Sequence, residues 1–252
     1  MPLERSRRAR TAPALDLPPP YRLVTLREVG DAFAHAGKIA SDEGAGTLVY
    51  VGRFDLAEFA VVLEPDEPLG TARRAFYAGM TALADALAAH APPEKPITID
   101  WPDAIRIDGG LIGGGRLAWP QDANESEAPT WLIFGAMIRT VAMGEDEPGL
   151  RPLSSALEAE GFDDLGSGRL VESFARHLMV ATDMWQERGF GEIAKSYLAR
   201  LTPAASGVRH DLAENGDLIV RRATDAAPER RALAQALGQV PSWLDPATGG
   251  PK

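Results

Sequence analysis

The chain has 252 residues, of which 45% are hydrophobic and 25% are charged, and its formal net charge at pH 7 is -10. These proportions are ordinary for a globular protein, and the length allows one well-buried α/β domain with a small appendage, or two modest domains. The negative charge argues against nucleic acid as the main partner, because phosphate backbones are bound by clustered positive charge. The absence of cysteine excludes disulfides, thiolate metal sites and a cysteine nucleophile.

No stretch of the sequence approaches the roughly eighteen apolar residues of a membrane span, and the N-terminal residues lack the apolar segment of a signal peptide. We therefore expect a cytoplasmic protein with no membrane partner. Residues 1–20 form a basic and proline-rich arm, which is typical of a disordered, solvated tail. Its basic residues are Arg5, Arg7, Arg8 and Arg10, and its prolines include Pro13, Pro18, Pro19 and Pro20.

The first half of the chain predicts strands at residues 21–26, 47–51 and 56–63 and helices at residues 29–41 and about 75–88. The second helix carries Phe76, Met80, Leu83 and Leu87 on one face at 3.6-residue spacing, so that face is expected in the core. The four residues Gly-Arg-Phe-Asp at 52–55 supply the turn of a hairpin between the second and third strands.

The second half predicts four more strands, at residues 97–100, 104–108, 111–119 and 131–141, followed by amphipathic helices at 170–185 and 190–201. A linker at 202–207 then leads to a hairpin at 208–222, turned by Asn215-Gly216, and to a short helix at 228–238. The predicted fold class is α+β, a mixed sheet with flanking helices plus a small C-terminal β-hairpin domain.

Four local motifs follow one another along this framework. Residues 101–105 (Trp-Pro-Asp-Ala-Ile) and 108–115 (Asp-Gly-Gly-Leu-Ile-Gly-Gly-Gly) are similar to the biotin protein ligase signature Lys-Trp-Pro-Asn-Asp followed by Lys-x-x-Gly-Ile-Leu. Residues 131–139 resemble a later strand of that family that ends Gly-x-Gly-Ile-Asn. The helices around Trp185 and Tyr197 resemble the last helices of the family's catalytic domain, and the 211–222 hairpin its small β-domain.

The resemblance implies the class II synthetase-like fold of the biotin and lipoate protein ligases at residues 21–201, with a small C-terminal domain at 207–252. It also implies ATP with Mg²⁺ and biotin or lipoate as ligands, and a biotinyl or lipoyl carrier domain as partner, whereas the residues alone assign no cofactor and no catalytic residue. The ligand-binding candidates carried over by position are Gly52, Arg53, Trp101, Pro102, Asp103, Gly113, Gly114, Gly115, Arg116 and Arg139. We expect Arg53, Trp101 and residues 113–115 to surround one cleft.

The sequence departs from the family pattern at its positive charges. Asp100 and Leu111 stand where the family has its two motif lysines, and Arg139 replaces the terminal asparagine. The long Gly- and Arg-rich loop is reduced to residues 52–55, with Arg53 as its one cation. Because a carboxylate that attacks a phosphate brings two anions together, these losses predict weak ATP binding and make ordinary adenylation doubtful.

Three functions remain open from the sequence. The first is a divergent ligase in which Arg53, Arg106, Arg116 or Arg139 replaces the lost lysines. The second is a degenerate pseudo-ligase that binds a ligand or a carrier domain. The third is a structural interaction module.

Individual motifs keep alternatives as well. The glycine triplet at 113–115 favours close approach of a ligand in this context, although such a triplet is also typical of a bulge. Trp101 is equally consistent with the wall of a pocket that binds a ligand's ring and with a buried core position. Asp100, Asp103 and Asp108 carry oxygen ligands suited to Mg²⁺ or Ca²⁺, but we interpret them as solvated turn carboxylates and predict no metal site.

Overall fold

The computed structural model describes residues 15–142, 153–224 and 227–252. In these ranges the chain forms a seven-stranded mixed sheet, a three-stranded antiparallel sheet and the helices around them. The elements in chain order are β1 (Arg22–Leu26), α1 (Ala32–Glu43), β2 (Thr47–Val51), β3 (Leu56–Leu63), α2 (Leu69–Ala72), α3 (Ala75–Ala88), β4 (Ile97–Asp100), β5 (Ala104–Ile107), β6 (Gly110–Ala118), β7 (Leu132–Arg139), α4 (Ser167–Arg188), α5 (Phe190–Arg200), β8 (Val208–Leu212), β9 (Leu218–Arg222), β10 (Glu229–Arg231) and α6 (Leu233–Leu237).

The large sheet has the strand order β1-β2-β3-β7-β6-β5-β4, in which β1 and β2 are parallel and the other neighbours are antiparallel. The predicted hairpin turn at residues 52–55 joins β2 to β3. Pairing of β3 with β7 sets Leu56 opposite Arg139 and Glu58 opposite Met137. The predicted fold class, a mixed sheet with flanking helices and a small second β-sheet, is confirmed.

One face of the sheet is covered by α3, α4 and α5, and we call it the three-helix face. Alternate residues of each strand point to it, as the two-residue period of a strand requires. Its centre is aromatic: the Phe134 ring stacks on Phe174 with centroids 5.6 Å apart, and Phe59 lies 4.6 Å from Phe174. A Cβ at Gly79 would lie 2.3 Å from the Phe134 ring, so α3 approaches the sheet closely because this residue is glycine.

The opposite face, which we call the α1 face, is closed in two parts. Over β2, β3 and β7, helix α1 packs Ala36 against Val49, Ala60 and Ile133. The remaining part, over β3, β5, β6 and β7, is an apolar cluster separate from both other clusters. It consists of Leu56, Ala104, Leu111, Met137 and Trp243. The strands supply four of these residues, and the C-terminal residues supply the fifth.

The C-terminal residues therefore contact both faces. Strands β8 to β10 dock beside α3 and α5 on the three-helix side, where Leu218, Val220 and Leu233 join the core and the Tyr77 hydroxyl donates to the Gly216 carbonyl oxygen at 2.6 Å. The predicted helix at 228–238 is wrong in its first half. Residues 229–231 pair with β9 as a third strand, because pairing satisfies backbone groups of that edge, and the helix spans only Leu233–Leu237.

The N-terminal arm is shorter than predicted. Leu15 and Leu17 pack against the core of the three-helix face, and Arg176 donates to the Asp16 carboxylate at 2.6 Å. Residues 15–20 thus belong to the folded body, because these two leucines bury apolar surface. Residues 1–14, which include the four basic residues of the arm, lie outside the described ranges.

Candidate functional site

The structure places the motif candidates on both faces of the sheet. Trp101 packs against the core of the three-helix face and donates its indole N–H to the Tyr77 hydroxyl at 3.1 Å. The Tyr197 hydroxyl donates to the Pro102 carbonyl oxygen at 2.7 Å. The expectation that Trp101 shares a cleft with Arg53 and Gly114 is therefore wrong, because the buried tyrosine hydroxyls hold the Trp101-Pro102 turn on the helical side.

Asp103 and Gly114 lie on the α1 face, where they contact the end of the chain. We call residues 241–252 the C-terminal segment. The Asp103 carboxylate, only 5% exposed, accepts from the Ser242 backbone N–H at 3.0 Å and from the Ser242 hydroxyl at 2.5 Å. Trp243 is fully buried and donates its indole N–H to the Gly115 carbonyl oxygen at 3.0 Å. Burial raises the pKa of Asp103, although the Ser242 hydrogen bonds oppose the shift.

The glycine triplet fits the chain's own packing. A Cβ at Gly114 would lie 1.9 Å from the Asp103 carbonyl oxygen and 2.4 Å from Cδ1 of Trp243, so any side chain there would expel the indole ring. Gly113 has a φ of +141° and would clash with the β7 backbone if it carried a Cβ. At Gly115 the missing side chain leaves room for Met80 and Phe134 on the three-helix face.

Arg139 holds the other end of the C-terminal segment. Its guanidinium donates to the Ser154 hydroxyl at 2.5 Å, to the Pro251 carbonyl oxygen at 2.6 Å and to the Lys252 main-chain oxygen at 3.1 Å. Lys252 in turn closes the segment on itself, with its Nζ on the Ser242 carbonyl oxygen at 2.6 Å and its backbone N–H on the Trp243 carbonyl oxygen at 2.8 Å. The segment is thus a closed loop with one anchor at Asp103 and one at Arg139.

Arg53 is held within its own turn. Its guanidinium forms a two-point ion pair with Asp55, with Nη2 to Oδ2 at 2.7 Å and Nε to Oδ1 at 3.1 Å, and this lowers the pKa of Asp55. The Arg53 carbonyl oxygen also accepts from the Ser167 hydroxyl at the start of α4. Gly52, beside it, donates its backbone N–H to the Leu26 carbonyl oxygen at 3.3 Å.

Arg116 and Glu58 lie where α1 begins. The Arg116 guanidinium stacks over the Phe33 ring at 4.0 Å and lies 3.4 Å from the Asp31 carboxylate. Among the described residues, its buried Nε has no hydrogen-bond partner. Glu58 is 3% exposed and accepts from the Ala32 N–H at 2.9 Å, at the positive end of the helix. Burial raises the pKa of Glu58 and lowers that of Arg116.

The aspartates of the motif region are neutralised separately. Asp100 pairs with Arg106 at 2.5 Å and accepts from the Thr202 hydroxyl, and Asp108 pairs with Lys95 at 3.1 Å. In residues 15–142, 153–224 and 227–252 we find no group of three or more His, Asp or Glu side chains that could hold a metal ion. Over the same ranges, none of the helices combines the length and apolar character needed to cross a membrane.

The contacts of these arginines and aspartates do not fit a nucleoside triphosphate. Arg53, Arg106, Arg116 and Arg139 would each have to leave a carboxylate or carbonyl oxygen that now holds them. A phosphate on the α1 face would also meet the buried Asp103 carboxylate, which repels it in a medium of low dielectric constant. Within the part of the chain that the structure describes, the motif residues supply no ready set of donors for the two anions that adenylation brings together.

The sequence prediction missed the groups that complete this face, namely Glu58, Ser242, Trp243 and Lys252. Glu58 is the one charged residue in the apolar strand LAEFAVVL, and a charged residue in a buried strand commonly has a specific hydrogen-bond partner. The Ser-Trp-Leu sequence at 242–244 offered a clearer signal, because a large aromatic residue in an otherwise polar terminal stretch is expected to find an apolar site.

Two surface grooves are lined by residues outside the candidate set. One, of about 330 Å³, is lined by His90, Phe162 and Arg169 among others, and the second, of about 640 Å³, lies beside β4 and Arg200. None of the ten candidate residues lines either groove.

Comparison with known proteins gives one family. The model of the Biotin/lipoate A/B protein ligase family matches residues 17–199. A solved biotin protein ligase-like protein of unknown function from Silicibacter sp. TM1040 is 27% identical, with a TM-score of 0.76 over 90% of this chain and 100% of that one. No curated protein matches the chain.

Two more distant structures share the fold. Biotin protein ligase from Aquifex aeolicus in complex with biotin and ATP is 15% identical, with a TM-score of 0.62 over 82% of this chain and 94% of that one. Biotin protein ligase from Leishmania major in complex with biotinyl-5-AMP is 16% identical, with a TM-score of 0.52 over 85% of this chain and 99% of that one. The C-terminal segment lies beyond the residues that the family model matches.

Proposed function

Because the chain belongs to the Biotin/lipoate A/B protein ligase family, we propose that it is a member that binds a small carboxylic acid without converting it to an acyl-adenylate. The observation that supports this most strongly is the engagement of the arginines at and beside the motifs. Arg53, Arg106 and Arg116 face carboxylates of the chain itself, and Arg139 is bound to the C-terminal segment.

The chemical argument concerns charge. In adenylation a carboxylate attacks a phosphate that is already anionic, so the site must supply cations and donors aimed at the phosphate oxygens. Asp100 and Leu111 occupy the positions of the two motif lysines. Asp100 is tied to Arg106, and Leu111 is 8% exposed within the cluster beneath Trp243. Neither position adds positive charge to the α1 face.

A ligand with at most one negative charge makes smaller demands on the same face. Once the C-terminal segment has left them, Leu56, Leu111 and Met137 offer an apolar floor, and Arg139 offers donors for one carboxylate. Biotin or lipoate meets that description, and the Aquifex aeolicus and Leishmania major proteins are solved with biotin or its adenylate. We extend the proposal to a biotinyl or lipoyl carrier domain only as a partner to be tested.

The rival function is an active ligase in which the arginines replace the lost lysines. It requires Arg53 or Arg139 to leave its present partner when ATP arrives. Arg53 forms two parallel hydrogen bonds with the Asp55 carboxylate. Moving Arg53 to a phosphate would break these charge-assisted hydrogen bonds before new ones could form.

Calorimetric titration of the full chain with Mg-ATP at low salt separates the two functions. We expect no binding below about 1 mM ATP, because the four arginines at and beside the described motifs already have partners within the chain. Mass spectrometry of a biotinyl or lipoyl carrier domain, incubated with the chain, Mg-ATP and biotin, lipoate or octanoate, should show no added mass. The Aquifex aeolicus biotin protein ligase with biotin is the positive control. Submillimolar ATP binding or a modified carrier domain would overturn the proposal.

Binding of the acid is measured separately. Titration with biotin and lipoate in the absence of ATP should give saturable heat that Arg139→Ala weakens, whereas Arg53→Ala serves as the control for loss of a cation elsewhere. Equal weakening by both variants would mean that general charge, and not Arg139, attracts the acid.

A further inference from the structure

We infer that the C-terminal segment, residues 241–252, is a displaceable occupant of the ligand site on the α1 face, and that an incoming planar ring bearing an N–H and a carboxylate-terminated chain replaces it. The inference rests on the proposed function, since it names what the bound acid must displace. It concerns this chain's own residues beyond 199, where the family model no longer matches.

The first step is that the segment fills a separate site and does not extend a core. The Leu56, Ala104, Leu111 and Met137 cluster is distinct from the α1 cluster and from the core of the three-helix face. Trp243 is its one fully covering side chain, with Leu244 packed only in part. Lifting the segment therefore uncovers this floor without breaking the contacts of the other two clusters.

The second step is that the segment is anchored by exchangeable polar contacts at its ends. Ser242 is bound to Asp103, and the Pro251 and Lys252 oxygens are bound to Arg139. Both anchors are charged side chains, which water can solvate once the segment leaves. Release also returns the buried Asp103 carboxylate to water, and this relief offsets part of the lost contact.

The third step is that the segment's own contacts describe the ligand that fits. A flat ring lies against Gly114, its N–H reaches the Gly115 carbonyl oxygen, and carbonyl oxygens at the far end reach Arg139. A ring with an N–H donor and a chain ending in a carboxylate presents the same groups. Its carboxylate would compete with the Pro251 and Lys252 oxygens for the donors of Arg139.

Hydrogen exchange of the unmodified full chain tests displaceability. We expect amides of the segment, such as Lys252 and Gly249, to exchange together and at least about 100-fold faster than those of β6 and β7, because the segment opens without global unfolding. Ser242→Ala should speed exchange of the segment about 10-fold further and leave β8 and β9 unchanged. Exchange of the segment as slow as that of β6 and β7 would overturn the inference.

Competition with a small ligand distinguishes a segment that occupies a ligand site from one that only frays. Indole-3-propionate, used as the probe, should accelerate exchange of residues 241–252 and slow exchange of β5 and β6, because it binds the opened form. At a concentration ten times its dissociation constant for that form, the open population rises about 11-fold. A probe that slows exchange in the segment, or leaves it unchanged, would contradict displacement.

A cavity variant supplies an independent measurement. In full-length Trp243→Ala, indole-3-propionate should bind at least about 10-fold more tightly than to the unmodified chain, since the competing ring is gone. Adding Arg139→Ala should remove this gain for indole-3-propionate and preserve it for indole. Trp119→Ala, which removes a ring that stacks on Arg73, is the matched control and should show no gain.

The two proposals fail in different ways. Adenylation of an acid with a segment that still opens and competes would reject the proposed function and keep this inference. Absence of competition with no adenylation would reject this inference and keep the proposed function.

Discussion

The two faces of the large sheet are built on different principles. The three-helix face is sealed by α3, α4 and α5 around stacked aromatic rings, and its strand positions are apolar. The α1 face carries Glu58, Asp103 and Arg116 at buried or half-buried positions and is completed by twelve residues from the end of the chain. The three-helix face thus stabilises the fold, whereas the α1 face keeps charged groups whose burial lowers stability.

The comparison explains why the fold persists while its motif charges do not. Packing on the three-helix face depends on Phe134, Phe174 and the glycines that admit them, and none of these contacts requires the motif lysines. On the α1 face Trp243 covers the apolar cluster, and the C-terminal segment is held by Asp103 and Arg139. The sheet can therefore remain intact while the chemistry of one face changes.

The largest expected effect belongs to the three-helix face. Phe134→Ala removes a fully buried ring that packs against Phe76 and Phe174, and we expect a loss of about 3–5 kcal/mol in the free energy of unfolding. Urea denaturation followed by circular dichroism measures it. Phe54→Ala, at a side chain that is 63% exposed, is the control and should change stability by less than about 0.5 kcal/mol. A loss below about 1 kcal/mol for Phe134→Ala would mean that this face is not the main source of stability.

A smaller and saturating effect is expected from Trp243→Ala, although this residue is larger and equally buried. If the C-terminal segment opens as a unit, its contribution is limited by the free energy of docking, and we expect a loss of about 1–3 kcal/mol. Adding Leu244→Ala should then cost almost nothing more, because the segment is already released. Additive losses in the same urea titrations would show that the segment belongs to the cooperative core and would erase the contrast between the faces.

Most strands and helices could be predicted from the sequence because each carries a local signal. The alternating and continuous apolar runs at 47–51 and 56–63 match β2 and β3 at both ends, and the Phe76-to-Leu87 spacing matches α3. The ends of other elements moved by a few residues, and residues 229–231 became a strand because β9 offered an edge, which is tertiary information.

The site was less predictable because sequence motifs do not state which face a side chain takes. Asp103 and Gly114 lie on the α1 face, yet Trp101, two residues before Asp103, is held by Tyr77 on the other side. The contact of Ser242 with Asp103 joins residues 139 positions apart, and nothing in either local pattern encodes that pairing. The sequence singled out Arg53 and Arg139 as charged motif residues, but their partners became visible only with the fold.

The smallest expected effect is the change in stability with pH that follows from burial of Glu58. Its sign tests whether the buried charges of the α1 face destabilise the fold. Burial raises the pKa of Glu58 above its ordinary value of 4.5, so the folded protein retains this proton more readily than the unfolded chain. Between the ordinary and the raised pKa the unfolded state releases the proton first, and stability therefore falls as pH rises through that window. Above the raised pKa the full cost of burying the carboxylate remains.

Glu58→Gln removes the ionisation and keeps an oxygen that can accept from the Ala32 N–H. We expect its melting temperature at pH 7 to exceed that of the unmodified chain by about 2 °C, and the difference to vanish as the pH falls below 4.5, where Glu58 itself is protonated. Glu64→Gln is the matched control, since this exposed carboxylate of the segment after β3 also accepts one backbone N–H, from Ala45. Thermal melts of the three proteins across this pH range decide the sign. A lower melting temperature for Glu58→Gln at pH 7 would show that attraction to Arg53 and Arg116 outweighs burial, and that the charges of the α1 face stabilise the fold instead of opposing it.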